Sequence, residues 1–251
     1  MRLSGNSVLI TGGATGIGYA MAEAFLAAGS AVAICGRRKR RLQEAQAQHP
    51  VLRVRVCDVE DADQRRDLAE WIAAEAPGLN VLVNNAGVQR DVDFSGGIGE
   101  FLNGENEIRV DLEAPIILSG MLIPRLARQS EAAIINVSSG LGFVPAARMP
   151  VYSAAKAGMH AYSMAIRRQL SKTSIKVYEV VPPAVDTELN PAGRAKRGHF
   201  KAGLSATDFV AAVMKGLEAD VPEIGFGMSA GFIRASRAEL DQAFERMNGA
   251  M

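Results

Sequence analysis

Short apolar runs alternate with longer amphipathic segments along most of the chain. The spacing of apolar residues predicts helices at 18–28, 38–48, 61–75, 104–128 and 152–172. The apolar runs predict strands at 7–10, 31–35, 52–57, 81–83, 133–137 and 175–181. Continuous apolar strands separated by helices indicate an α/β fold, a doubly wound parallel sheet with helices on both faces. Ligands bind such sheets at the carboxyl ends of the strands.

The pattern is less regular after residue 206. A helix at 207–219, a short strand at 223–226 and a charged helix at 234–247 are predicted there. The 251 residues contain no linker-like tract and no internal repeat, so we expect a single domain, 1–251.

The charge balance and the two cysteines limit the possible partners. Lys and Arg number 28 against 27 acidic residues, and a net charge of +1 provides no field that would attract nucleic acid or an anionic membrane. Cys35 and Cys57 have no neighbouring His or Cys, which predicts reduced core residues and no metal site. No stretch of about 18 apolar residues occurs, so we expect a cytoplasmic protein that acts on a small molecule.

A glycine-rich segment follows the first predicted strand directly. It reads Thr-Gly-Gly-Ala-Thr-Gly-Ile-Gly at 11–18 and leads into a helix. Glycines permit a positive φ and let the backbone approach a pyrophosphate, while the helix N-terminus presents free N–H groups to the anion. A tight turn would also use glycines, but the strand before and the helix after them indicate dinucleotide binding and a Rossmann fold.

The end of the second strand bears on the choice of dinucleotide. About 20 residues past the last glycine, such folds usually place an acid that binds the ribose of NAD or an Arg that accepts the additional phosphate of NADP. This chain has Arg37 and Arg38 there and no acid. Because a guanidinium pairs with phosphate through two hydrogen bonds, we expect NADP, bound by Arg37 first and Arg38 as an accessory. In the alternative, NAD is bound and the basic residues 37–41 only solvate a helix start.

Tyr152 and Lys156 stand four positions apart in a predicted helix and therefore share one face. An ammonium group beside a phenol favours the phenolate and lowers a tyrosine pKa that is ordinarily about 10. A tyrosine tuned in this way exchanges protons near neutral pH. The same spacing is common in helices where Tyr buries its ring and Lys extends to solvent. The pair alone therefore does not indicate catalysis, and the other motifs of the chain are needed to support that interpretation.

Several motifs in order along residues 3–187 resemble those of the short-chain dehydrogenase/reductase family. They are Thr-Gly-x-x-x-Gly-x-Gly at 11–18, Asp58-Val59, Asn-Asn-Ala-Gly at 84–87, Ser139, Tyr152 and Lys156. The separation of Ser139 and Tyr152, 152 − 139 = 13, is the family's usual one and selects Ser139 over Ser138. Segments 89–90 and 181–183 also resemble a bacterial subgroup of which some members are named after the D-alanylation operon.

The resemblance implies a set of dinucleotide contacts. Asp58 would hydrogen-bond the adenine amine, and Thr187 would meet the carboxamide. Ala86 and Gly87 would line the ribose. The full set implied is Gly12, Thr15, Gly16, Ile17, Gly18, Arg37, Arg38, Asp58, Val59, Asn85, Ala86, Gly87, Val110, Tyr152, Lys156, Pro182, Val185 and Thr187.

The family's chemistry implies an NADP-dependent carbonyl reductase or alcohol dehydrogenase, which transfers hydride between the nicotinamide and a carbonyl or alcohol carbon. Ser139 would hydrogen-bond the carbonyl oxygen while Tyr152 donates the proton. Lys156 would lower the tyrosine pKa and hold the nicotinamide ribose. The family also implies a homodimer or homotetramer. A regulatory protein that senses the dinucleotide without turnover is the non-enzymatic alternative.

The chain departs from the family pattern in three places. Asp111 replaces the Asn that commonly completes the catalytic set, and a carboxylate only accepts hydrogen bonds. Asp111 either raises the pKa of Lys156 or is itself protonated; both remain open, and we expect Asp111→Asn to keep or improve activity. A second proline at 182–183 stiffens the loop beside the nicotinamide. The chain end lacks the usual Asp-Gly-Gly, which makes a dimer through helices 104–128 and 152–172 more secure than a tetramer.

Residues 188–206 are expected to form a mobile lid over the site. Five basic or potentially basic side chains there would suit a substrate carboxylate, although a solvated loop is the simpler interpretation; they are Arg194, Lys196, Arg197, His199 and Lys201. An apolar substrate wall for a small or medium ketone or aldehyde is expected from Leu141, Phe143, Met149, Leu189 and Phe200.

Overall fold

The computed structural model describes residues 1–196, 198 and 203–249. Its strands are β1 Ser7–Thr11, β2 Ala31–Gly36, β3 Arg53–Val56, β4 Val81–Asn84, β5 Ala132–Val137, β6 Ile175–Val181 and β7 Glu223–Gly225. Its helices are α1 Gly16–Ala27, α2 Lys39–Gln48, α3 Ala62–Glu75, α4 Gly99–Leu102, α5 Ala114–Leu126, α6 Pro150–Gln169, α7 Pro191–Lys196, α8 Ala206–Glu218, α9 Met228–Phe232 and α10 Arg237–Asn248. A π-helical turn, Arg109–Glu113, leads into α5, and a 3-10 turn, Gly140–Gly142, follows β5.

The seven strands form one parallel sheet in the order β3-β2-β1-β4-β5-β6-β7. The predicted α/β fold is therefore confirmed. Because the chain returns from β3 at one edge to β4 beside β1, the winding reverses between β1 and β4. The carboxyl ends of these two strands, Thr11 and Asn84, border the crevice in which doubly wound sheets bind ligands.

Apolar clusters cover both faces of the sheet, as expected when neighbouring residues of a strand point to opposite sides. One cluster packs Ile10 and Ile34 against Phe25 of α1. The other packs Leu9 and Leu82 against helices α3 and α5. Cys35 and Cys57 are buried free thiols, as the sequence predicts. Among the described helices, none has the length and hydropathy needed to cross a membrane.

The prediction of one helix over 104–128 is wrong at its start. The side-chain oxygen of Asn106 accepts hydrogen bonds from the main-chain N–H groups of Ile108 at 3.0 Å and Arg109 at 3.3 Å. An Asn in this role starts a helix, because it satisfies the first unpaired donors. The π-helical turn and α5 therefore begin after Asn106, and α4 forms separately.

Candidate active site

The glycine-rich segment forms the bend between β1 and α1. Gly12 and Gly16 have φ values of 64° and 58°, in the left-handed region that favours glycine. A Cβ on Gly12 would lie 2.8 Å from the Cα of Ala86. One on Gly16 would lie 3.0 Å from the Cγ2 of Thr187. The bend therefore passes close to the segments that follow β4 and β6, and larger residues would fill the crevice.

The N-terminus of α1 has the properties of an anion site. Its N-cap, Thr15, makes no side-chain cap hydrogen bond, and its first turn, which contains Ile17, holds no acidic residue. The first N–H groups of a helix lack partners within it and carry partial positive charge. The pyrophosphate of a dinucleotide fits these donors.

Thr11 and Asn85 brace the glycine-rich bend. The hydroxyl of Thr11 accepts hydrogen bonds from the main-chain N–H groups of Asn85 and Ala86, each at 3.0 Å. The side-chain amide of Asn85 donates to the main-chain oxygens of Thr11 at 2.9 Å and Gly12 at 3.2 Å. A Cβ on Gly18 would lie only 2.4 Å from the same amide nitrogen, so this position requires glycine. The Asn85 side chain is thus directed into the bend.

The arginines after β2 point in two directions. Arg37 lies 2.5 Å from a carboxylate oxygen of Glu105 and 4.0 Å from one of Asp58. Arg38 lies 2.5 Å from Glu188 and donates to the Thr15 hydroxyl at 2.8 Å. Acidic side chains therefore occupy both guanidinium groups that the sequence assigns to the NADP phosphate.

Arg41 joins Arg38 at Glu188, with its Nη2 atom 2.5 Å from the second carboxylate oxygen. The sequence did not single out Arg41, although it stands three residues after Arg38, the N-cap of α2, and so lies on the same side of the helix start. These groups border an open groove of about 580 Å³ beside the glycine-rich bend. The groove is lined by Ala14, Thr15, Gly16, Tyr19, Arg41, Glu44, Ala45, Gln48, Asp186, Thr187 and Glu188.

Ser139, Tyr152 and Lys156 converge at the carboxyl end of β5. Ser139 caps the 3-10 turn, where its hydroxyl accepts from the N–H of Leu141 at 3.1 Å. The Ser139 side chain is also near enough to the Tyr152 hydroxyl to act on the tyrosine pKa, which it lowers. The Lys156 ammonium lies 5.5 Å from the centre of the tyrosine ring and donates to the main-chain oxygen of Val137 at 3.0 Å.

Asp111 forms a buried ion pair with Lys156, at 3.2 Å between Oδ2 and Nζ. Its other carboxylate oxygen accepts from the N–H of Val88 at 2.8 Å. Burial raises the pKa of Asp111 to about 6, because it disfavours the charged form more than Lys156 and Val88 favour it. A group with this pKa is mainly ionised at pH 7. Of the two alternatives that the sequence leaves open, the structure favours the ionised pair.

The pKa of Lys156 is raised above its ordinary value. Burial acts to lower it, but the charges of Asp111 and Tyr152 and the hydrogen bond to Asp111 together act more strongly in the opposite direction. The ammonium therefore stays protonated at neutral pH. Asp111 and Lys156 are both almost fully buried, so solvent and salt screen the attraction between their charges only weakly.

The pKa of Tyr152 is raised, whereas the sequence predicts a lowered value. Burial of the phenol is the largest cause, and it outweighs the charge of Lys156. The nearby carboxylate of Asp111 raises the pKa further, while the hydrogen bond with Ser139 lowers it. The charge of Lys156 lowers the pKa of Tyr152, as the sequence predicts, but burial of the phenol makes the net change an increase.

The remaining residues of the implied dinucleotide set lie around the same crevice. Val59 and Val110 are buried in the cluster beneath it. Asp58 accepts a hydrogen bond from the N–H of Glu60 at 3.0 Å. Gly87 faces Asp111, whose carboxylate oxygen would lie 3.0 Å from a Cβ at that glycine.

The loop after β6 is tied to the 3-10 turn after Ser139 and to α7. The main-chain oxygen of Pro182 accepts from the N–H of Gly140 at 3.0 Å. Arg194 of α7 donates to the main-chain oxygens of Val185 at 2.7 Å and Thr187 at 3.3 Å. One of the basic side chains predicted to face a substrate is thus used to hold the loop.

The predicted substrate wall is brought together in part. Leu141 and Met149 pack in one cluster with Tyr152. Phe143 instead contacts the ring of His160, with the ring centres 4.4 Å apart. Leu189 donates its N–H to the Thr187 hydroxyl at 3.3 Å. Phe200 lies outside the described residues, as do Arg197, His199 and Lys201 of the predicted lid.

The comparisons with known proteins agree with this geometry. Residues 6–198 match the family model for short chain dehydrogenases. The chain is 45% identical over 248 residues to the uncharacterized oxidoreductase DltE of Bacillus subtilis, over 99% of this chain and 98% of that protein. This relative confirms the resemblance to the bacterial subgroup.

Two solved structures share the fold. A short chain dehydrogenase from Burkholderia cenocepacia in complex with NADP matches with a TM-score of 0.83 and 24% identity, over 98% of this chain and 99% of that one. A short chain dehydrogenase/reductase from Burkholderia phymatum in complex with NAD matches with a TM-score of 0.84 and 18% identity, over 97% and 96%. With the family model and DltE, these findings show that the chain is an oxidoreductase that belongs to the short-chain dehydrogenase/reductase family.

Proposed function

We propose that the protein is an NADP-dependent carbonyl reductase that acts on a ketone or aldehyde and, in reverse, on a secondary alcohol. The observation that carries the proposal is the convergence of Ser139, Tyr152 and Lys156 after β5, with the Lys156 ammonium 5.5 Å from the centre of the tyrosine ring and held by the main-chain oxygen of Val137. Two adjacent hydroxyls backed by a fixed cation suit the polarisation and protonation of a carbonyl oxygen.

The dinucleotide, when bound, supplies or accepts the hydride. The N-terminus of α1 suits its pyrophosphate, because that helix start has neither a side-chain cap nor an acid. In this proposal Asp58 and the arginines after β2 would contact the adenine half of the dinucleotide, and Pro182, Val185 and Thr187 would contact the nicotinamide half. Lys156 has three N–H donors. One is donated to the main-chain oxygen of Val137 at 3.0 Å, and the ammonium also forms an ion pair with Asp111 at 3.2 Å. We propose that a remaining donor binds a ribose hydroxyl.

The raised pKa of Tyr152 favours the reductive direction. Burial keeps the phenol protonated at neutral pH, so its proton is ready for the carbonyl oxygen. In alcohol oxidation the same group must first lose its proton. We therefore propose that oxidation becomes faster as the pH rises, whereas reduction is retained at neutral pH.

The choice of NADP is tested at the arginines. We expect Arg37→Ala and Arg38→Ala each to raise the KM for NADPH about tenfold or more, because each removes a guanidinium that can pair with the additional phosphate. The KM for NADH should change much less, since NADH lacks that phosphate. Initial rates with both cofactors and one ketone measure these constants.

Arg40→Ala is the matched control for the arginine variants. Arg40 belongs to the same basic run, but its side chain is 90% exposed and pairs with Glu44 one turn along α2. Its removal should leave both KM values unchanged. A wild-type enzyme that prefers NADH would overturn the assignment, and the acids beside Arg37 and Arg38 would then explain why those arginines do not bind phosphate.

The part played by Asp111 is tested by pH dependence. The Asp111 charge raises the pKa of Tyr152, so Asp111→Asn should lower that pKa. Oxidation of a secondary alcohol requires the phenolate, and its half-maximal rate should therefore move to lower pH while ketone reduction at pH 7 is kept. The pH profile of kcat/KM for oxidation measures the shift, with the exposed neighbour Glu113→Gln as the control. An unchanged midpoint, or a large loss of reduction, would show that the carboxylate acts otherwise.

We also propose that the protein is cytoplasmic and forms homo-oligomers through α5 and α6. Apolar side chains on the outer faces of these helices support this interface. Ile116 and Ile117 of α5 are 36% and 37% exposed, and Met164 of α6 is 49% exposed. Burying such a surface against a second copy would remove it from water.

A further inference from the structure

The last helix of the chain ends beside the catalytic residues. Ser236 and Glu239 form a reciprocal capping box that starts α10. Leu240, Ala243 and Met247 are the residues of its apolar stripe, spaced as one face of a helix, and each is buried or partly buried. Most other side chains of α10 are exposed. The helix therefore contacts the rest of the protein along one narrow face.

Met247 of this face packs in the cluster that contains Tyr152. The other members are Leu141, Ala146 and Met149. Leu141 and Met149 are residues that the sequence assigns to the substrate wall. A methionine is long, flexible and apolar, so it fills irregular space and adapts to different neighbours. Among the described residues of the cluster, Met247 alone lies outside 141–152 in the sequence.

Asn248 holds the loop that carries this cluster. Its side-chain oxygen accepts from the N–H of Ala147 at 2.8 Å, and its side-chain nitrogen donates to the main-chain oxygen of Pro145 at 3.1 Å. The loop joins the turn after Ser139 to the start of α6, two residues before Tyr152. A single amide thus satisfies one donor and one acceptor of a loop that borders the catalytic hydroxyls.

We propose that the end of α10 is part of the substrate site: Met247 forms an apolar wall that contacts the larger substituent of the carbonyl substrate, and Asn248 is a positioning residue for the loop 145–147. This inference rests on the proposed carbonyl reduction. In this proposal Met247 limits the size of the substrate that the site accepts, although it is more than 90 residues from Tyr152 in the sequence, 247 − 152 = 95. The substrate class is an apolar ketone or aldehyde.

The test compares kcat/KM for cyclohexanone and for the larger 2-acetonaphthone. Met247→Ala removes most of the wall, and the ratio of the two constants should shift about fivefold or more in favour of the larger ketone. Asn248→Ala should raise KM about tenfold for both ketones with kcat nearly kept, because the loop loses its position while the reacting hydroxyls remain. Asn248→Asp keeps the acceptor for Ala147 and should recover part of the KM.

Arg246→Ala is the control, because Arg246 is an exposed neighbour on the same helix. All variants should bind NADPH as tightly as the wild type, which calorimetric titration checks. Equal ratios in Met247→Ala and Arg246→Ala would overturn the proposal. If the wild type reduces neither ketone, the proposed function fails instead. Hydrogen exchange of the main-chain amides of 146–149 then decides the positioning role of Asn248. We expect faster exchange in Asn248→Ala, and unchanged exchange would contradict that role.

Discussion

Tyr152→Phe is expected to lower kcat for ketone reduction by a factor of about 10² to 10⁴, the usual contribution of a positioned general acid. The substitution removes only the phenol hydroxyl, whose pKa the Ser139 side chain lowers. The ring remains in its cluster with Leu141, Met149 and Met247. Because the packing is kept, the fold and the Kd for NADPH should be unchanged. Steady-state rates and calorimetric titration of NADPH measure the two effects separately.

The matched control is Tyr162→Phe on the same helix. Tyr162 stands ten residues after Tyr152 on α6, and the side chain that acts on its hydroxyl is Ser119, not Ser139, so its loss should leave kcat near the wild-type value. A Tyr152→Phe enzyme that keeps more than about a tenth of its turnover would rule out Tyr152 as the proton donor. A variant that also fails to bind NADPH would show that the phenol holds the cofactor.

Lys156→Met is expected to lose both turnover and stability. Its loss removes the fixed cation beside Tyr152 and leaves the buried Asp111 carboxylate without its partner at 3.2 Å. Removing one partner of a buried ion pair lowers the free energy of unfolding by about 3 to 5 kcal/mol, because the other charge is left buried and unpaired. Chemical denaturation at pH 7 measures this loss, and steady-state rates measure the fall in kcat.

The stability loss of Lys156→Met should depend on pH in a defined direction. Burial already raises the pKa of Asp111 to about 6, above its value in an unfolded chain. A carboxyl with a raised pKa in the folded state favours folding while it is protonated, and this contribution disappears as the pH rises through that pKa. Without Lys156 the pKa of Asp111 should rise further. The variant should therefore be closer to the wild type in stability at pH 5 than at pH 7.

The double variant Asp111→Asn, Lys156→Met separates the two losses. Removing the orphaned charge should restore most of the stability but none of the turnover, since the cation beside Tyr152 is still missing. If the double variant is as unstable as Lys156→Met, the cost arises from lost packing of the lysine chain. If it regains turnover, Lys156 has no direct part in the chemistry.

The local parts of the fold and site are predictable from the sequence. Strand bounds agree because apolar runs such as 175–181 are buried on both faces and read as continuous. The glycine-rich bend is identifiable because a side chain at Gly12 or Gly18 would meet the backbone and Asn85, and one at Gly16 would meet the Thr187 side chain. The spacing of Tyr152 and Lys156 correctly predicts one helix face.

The net effects of burial and the long-range contacts are not predictable in this way. Spacing identifies Lys156 as a neighbour of Tyr152. It does not show how deeply the phenol is buried, and this burial raises the tyrosine pKa by more than the lysine charge lowers it. The pairing of Arg38 and Arg41 with Glu188 joins residues about 150 positions apart, 188 − 38 = 150. The packing of Met247 against the cluster that contains Tyr152 likewise depends on how α10 docks, for which the composition of α10 gives no signal.

Transfer of hydride to a carbonyl carbon is tested most directly with NADPH that carries deuterium at C4 of the nicotinamide. Wild-type protein, labelled cofactor and cyclohexanone are incubated at pH 7, and the product is analysed by mass spectrometry. We expect cyclohexanol with one deuterium on the carbinol carbon, and almost none of it from Tyr152→Phe. Labelled cofactor that binds but is not consumed, with no alcohol formed across a panel of ketones and aldehydes, would contradict the proposed reductase and favour a protein that binds the dinucleotide without turnover.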